Sequence, residues 1–71
     1  MLVVADCPAG SVVEIIDRRY GVPTASGRCY RLRSKLTLSN SGYVLRSAIS
    51  LANNEPVGIL EALRCRIVEN V

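Results

Sequence analysis

The chain contains no histidine, no tryptophan and no phenylalanine, and three tyrosines are its whole aromatic content. Without histidine it lacks the side chain most used as a general base near neutral pH, and also the commonest transition-metal ligand. Cysteine adds little. Cys7, Cys29 and Cys65 are odd in number, widely spaced and contain no CxxC pair, which is the pattern of neither a zinc site nor a disulfide framework. They read as small hydrophobes in a reducing compartment, with a Cys7–Cys65 or Cys29–Cys65 pair left open.

Other absences narrow the function further. Gly21-Val22-Pro23-Thr24-Ala25-Ser26-Gly27 reads as a mobile surface loop, but it lacks the spacing and the lysine of a phosphate-binding loop. No apolar run approaches the roughly 20 residues of a membrane-spanning helix. The first residues carry neither a basic stretch nor a signal-type cleavage site. The expectation is a soluble cytoplasmic protein with no membrane partner. Six carboxylates are scattered without catalytic spacing, and Cys29, flanked in sequence by Arg28 and Arg31, reads as an ordinary strand residue. No catalytic residue, metal site or cofactor is expected, and the protein is read as not an enzyme.

What the chain does have is aliphatic content and an excess of cations. Its 71 residues, 49% of them hydrophobic, suit one small domain over 1–71 with a thin core. Val, Ile and Leu must build that core, and the β-branched residues favour strands. Met1–Ala5 and Ser11–Arg18 read as strands, with Pro8 and Gly10 between them as breakers. The clearest strand is the stretch Arg28–Leu38. There Tyr30, Leu32, Leu36 and Leu38 share one parity, while Arg31, Arg33, Lys35 and Thr37 share the other. Ser39-Asn40-Ser41-Gly42 ends it as a turn.

Residues 43–52 and 57–68 fit either period. As a strand, the later segment points Ile59, Leu63, Cys65 and Ile67 inward. The predicted fold is mainly β: a small barrel or curled antiparallel sheet, possibly with one helix around 43–52, the alternative being α+β. The helical version gives a strand followed by two helices, which resembles a ribbon-helix-helix DNA-binding unit with Arg31, Arg33 and Lys35 as groove readers. Pro56, Gly58 and the 27 residues ahead of the strand depart from that pattern.

Net charge is +3, and from Arg28 through Asn54 there are five basic residues and no acid. On a strand, alternate side chains stand about 6.6–7 Å apart on one face. Arg31, Arg33 and Lys35 would therefore form a row at roughly the spacing of phosphates along a nucleic-acid strand. Tyr20 and Tyr43 could add stacking surfaces, whereas Tyr30 lies on the core parity. Arg28, Arg46, Arg64 and Arg66 would flank the row.

The function expected from this pattern is a non-enzymatic regulatory or accessory binding protein. It would act through its basic strand face on nucleic acid or on a transcription or nucleic-acid-processing complex. The partner is either nucleic acid or an acidic surface of a larger protein complex. The alternative is a small self-assembling structural protein of shell or virion type, a homo-oligomer using Val44, Leu45, Ile49, Leu51 or the Met1–Val4 segment.

Overall fold

Ten consecutive residues, Cys29–Leu38, form the longest strand, and the rest of the sheet is assembled around it. The computed structural model describes residues 2–17 and 28–69. In chain order it contains a 3-10 turn at Val4–Asp6 and five strands: β1 (Val12–Ile15), β2 (Cys29–Leu38), β3 (Val44–Ser50), β4 (Pro56–Leu60) and β5 (Cys65–Glu69). They make one antiparallel sheet in the order β4-β3-β2-β1-β5. The expected loop at 21–27 lies outside the described residues, as do Met1, Arg18 and Tyr20.

The mainly-β prediction holds, and the sheet is curled rather than closed into a barrel. A flat five-stranded sheet would separate β4 from β5 by about 19 Å, at about 4.8 Å per strand step. Only residues 61–64 join those two edge strands. Fully stretched, that link would reach about 17 Å. It is not stretched, because the Leu63 N–H turns back to the Leu60 carbonyl at 3.3 Å. The sheet must therefore roll until its two edges approach each other.

Neither 43–52 nor 57–68 is helical, so the α+β alternative and the ribbon-helix-helix order do not apply. Residues 44–50 are extended because β2 and β4 pair with β3 on either side and satisfy its backbone groups. In β4, Pro56 takes the first position of an edge strand, where no ladder donor is required. Gly58 is a packing residue: a Cβ there would sit 2.7 Å from Leu45 Cδ1.

The inner face carries the core. Paired residues share a face, so Val13 meets Tyr30 and Ile67, Ile15 meets Cys65, and Leu32 meets Ala48. Ile59 and Leu63 complete this cluster, so Ile59, Leu63 and Cys65 are buried as their parity predicted, although a turn separates two strands there.

The first residues depart from the strand expected over Met1–Ala5. Val3 makes a single bridge to Arg64, and Val4–Asp6 winds into the 3-10 turn. The reason is length, since the segment lies against the short 61–65 link and not against a full strand. Val4 N–H donates to Leu63 O at 3.0 Å, Ala5 N–H to Glu61 O at 3.1 Å, and Cys65 N–H to Leu2 O at 3.1 Å. The segment forms a strap across the gap between β4 and β5, and it delivers Val4 and Cys7 to the core.

Candidate interaction surface

The expected alternation of β2 runs unbroken only to Leu32. Leu32 pairs with Ala48, but the next registered pair is Leu36 with Arg46. Residues 33–35 therefore stand opposite Ser47 alone, and the strand bulges. Arg46 fills the resulting gap. Its side chain is buried, 7% exposed. Its Nε donates to the Arg33 carbonyl released by the bulge, and Nη2 donates to Cys7 O at 3.0 Å. Nη1 lies 3.5 Å from Val4 O and 4.0 Å from the Glu61 carboxylate. One guanidinium thus ties β2, β3 and the strap together, and it is an internal group rather than a flanking surface charge.

Three further arginines are engaged by the protein's own carboxylates. Arg31 reaches across Val12, its own partner and that of Glu69 in the ladder. Its Nη2 lies 3.3 Å from Glu69 Oε1, and its Nη1 donates to Gly10 O at 2.9 Å. Val12, although it faces away from the core, is left only 3% exposed. Arg66 lies 2.5 Å from Glu14 Oε1, across the β1–β5 ladder. Asp17 is buried, and its Oδ2 accepts the Arg64 N–H at 3.2 Å and faces Arg64 Nε at 3.6 Å.

The seven predicted cations are therefore divided. Among the described residues no ion pair involves Arg28, Arg33 or Lys35, and all three are exposed, Arg33 and Lys35 on β2 and Arg28 just ahead of it. Arg28 lies at the start of the strand, where its charge eases the Tyr30 hydroxyl down while burial, the larger effect, raises it. Arg33 and Lys35 sit in the bulge. The continuous row of Arg31, Arg33 and Lys35 does not form: the bulge and Glu69 separate Arg31 from the other two.

Beyond the bulge, β2 and β3 leave the body of the sheet. β1 pairs with β2 no further than Arg31, and β4 pairs with β3 only as far as Leu45. The remainder is an arm without β1, which β4 still borders at Arg46 and Leu45 and which is two-stranded only at the Leu38–Val44 pair before the 39–42 turn. There Gly42 adopts a φ of +87°, the Gly42 N–H donates to Ser39 O at 3.0 Å, and the Tyr43 N–H donates to Ser39 Oγ, also at 3.0 Å. Leu36 and Leu38, expected on the oily underside, project past the core and are 52% and 73% exposed. Val44, opposite Leu38, and Tyr43 are also exposed. Sequence reasoning missed this overhang. The signal was a ten-residue alternation in a chain whose other strands have four to seven residues, because a strand longer than its neighbours must protrude.

The thiols offer little chemistry at this surface. Cys7 Sγ and Cys65 Sγ lie 3.7 Å apart in the core, and all three cysteines are free. Burial, reinforced by the neighbouring Cys7 and by the Asp6 carboxylate, pushes the Cys65 thiol up to about 12. Among the described residues no group of three or more acidic, histidine or cysteine side chains is placed to hold a metal ion, and no helix is long and apolar enough to cross a membrane.

This geometry defines a class: an open, curled, five-stranded antiparallel sheet with a protruding β2–β3 arm that is apolar and flanked by cations. Comparison with known proteins finds no matching family model, no matching curated protein and no matching solved structure.

Proposed function

We propose that the protein is a non-catalytic accessory domain that binds an acidic surface of a larger protein complex through its β2–β3 arm. Transcription and nucleic-acid-processing assemblies are the class of target that a basic accessory factor suits. The observation that supports this is the coincidence, on one arm, of unpaired cations with exposed aliphatic side chains. Among the described residues Arg33 and Lys35 have no carboxylate of their own, whereas Arg31, Arg46, Arg64 and Arg66 do. Beside them Leu36, Leu38 and Val44 stand in water. A small protein seldom leaves such a patch unless a partner covers it. Aliphatic side chains favour a protein partner over nucleic acid, for which Tyr43 is the one stacking ring exposed among the described residues. The charges would speed encounter and set orientation, and the apolar contact would hold the complex.

Affinity capture from an extract of the native host, at two salt concentrations and with or without nuclease, tests this. Capture should survive nuclease, weaken at high salt and be lost in an Arg33→Glu/Lys35→Glu variant. Capture abolished by nuclease transfers the surface to nucleic acid. Capture unaffected by the double reversal removes the arm from consideration.

A second reading, self-assembly into a structural shell, draws on the same exposed Leu36, Leu38, Tyr43 and Val44. Light scattering over a concentration series separates the two. A defined oligomer that disappears on Leu38→Ser favours assembly, and a monomer at all concentrations favours the accessory domain.

A further inference from the structure

The β2 edge that faces β1 loses its neighbour after Leu32. The Leu32 N–H donates to Ser11 O at 2.9 Å, and its carbonyl accepts the Gly10 N–H at 2.8 Å. Among the described residues these are the last backbone contacts on that side, and only β3 pairs with the remainder of the strand. Residues 33–38 thus present an open edge of about 20 Å, at about 3.3 Å per residue. Such an edge carries unpaired N–H and C=O groups, which make it a template for another strand.

The side chains along this edge select which strand. Arg33 and Lys35 are exposed and carry no ion pair among the described residues, while Leu36 and Leu38 are exposed and apolar. The cations and the leucines fall on opposite parities. Because Arg33 and Lys35 sit in the bulge and Leu36 and Leu38 lie beyond it, a complementary strand needs carboxylates toward the bulge and aliphatic side chains toward the turn, both of which an alternating Glu-Val strand offers. Resting on the arm as the docking surface, we infer that residues 33–38 accept an extended acidic segment of the partner protein as a sixth strand. The affinity comes from main-chain hydrogen bonds and the specificity from charge.

A second copy of this chain fits the edge less well. Two-fold pairing would bring both sets of Arg33 and Lys35 together, and like charges across a ladder are destabilising. The lysine that blocks such pairing also welcomes an acidic strand. Nucleic acid supplies the negative charge but no ladder of peptide donors and acceptors.

The probe is a synthetic ten-residue peptide of alternating Glu and Val, compared with two relatives. One is N-methylated at every second residue, which removes donors but keeps the charge. The other carries Lys in place of Glu. Calorimetry and amide hydrogen exchange are read on the intact protein. The Glu-Val peptide should bind and protect amides within 34–38, and the N-methylated peptide should bind at least tenfold more weakly. The Lys peptide should not bind, and Arg33→Glu/Lys35→Glu should weaken binding by about tenfold. Because the peptide series needs no change in the protein, misfolding of the double variant leaves the test intact. Equal binding of the methylated and unmethylated peptides, with no new amide protection, overturns strand addition while leaving the arm as a docking surface. Failure of the Glu-Val peptide to bind overturns the inference as well. The docking surface itself fails only if capture from extract survives the charge reversal.

Discussion

Leu32 and Leu36 lie one above the other on the same strand, four residues apart, and their surroundings have nothing in common. Leu32 is enclosed by a sheet that curls because residues 61–64 are too few to join its edges otherwise. Leu36 lies on the arm, past the end of the β1 pairing and opposite Arg46 of β3, and keeps about half its surface in water. The body is stabilised by burial from several strands and by the Arg46 guanidinium. The end of the arm, from Leu38 to Val44, has only its ladder and the Ser39–Tyr43 turn contacts, and an isolated hairpin is marginal in water. A molecule that invests its long-range contacts in the body and leaves an apolar, cationic arm projecting has separated what keeps it folded from what is available to bind.

The contrast can be broken most severely at Arg46. Replacing it with Met leaves the carbonyls of Val4, Cys7 and Arg33, together with Glu61, without their common partner. A loss of about 3–5 kcal/mol is expected, read as the collapse of the thermal unfolding transition in a domain whose total stability is of that order. Next come the two leucines. Leu32→Ala should cost about 2–5 kcal/mol, whereas Leu36→Ala should stay within about 0.5 kcal/mol of wild type, both measured by urea denaturation. Comparable losses at both positions would show that the arm belongs to the cooperative core.

The last effect is confined to alkaline pH. Cys65 and Tyr30 hold their protons more tightly in the folded chain than in the unfolded one, chiefly through burial. The folded state therefore binds more protons at alkaline pH, and its stability falls as pH rises. For Cys65 the contribution is fully present below the ordinary thiol value of 9.0 and is lost between there and about 12. Cys65→Val should flatten the curve there. In the wild-type protein at neutral pH, half-buried Cys29 should react with iodoacetamide ahead of buried Cys7 and Cys65.

β2 was legible in the sequence because its period of two persists over eight or nine residues, and Ile59, Leu63 and Cys65 were correctly assigned to the core by parity. Residues 43–52 were ambiguous because small residues at i, i+4 and apolar residues at i, i+2 coexist there. Pairing on both edges, a property of the whole sheet, decided between them. The break at residues 61–64 was hidden because Glu-Ala-Leu-Arg contains none of the usual turn residues. The charges were least legible of all. Arg31 and Arg66 find their carboxylates 38 and 52 residues away in sequence, so no local pattern could tell the engaged cations from Arg33 and Lys35. The bulge has the same kind of origin, since it is completed by a side chain from the neighbouring strand.

The central claim is that the arm, and not the curled body, meets the partner. Site-specific photo-cross-linking measures this directly. A photoreactive side chain is placed at Leu38 on the arm and, in a second protein, at exposed Val68 on β5, and both are irradiated in host extract after nuclease treatment. The account predicts a discrete protein adduct from position 38 that an acidic Glu-Val peptide competes away, and none from position 68. An adduct from position 68 alone, or the same adduct from both, would contradict it.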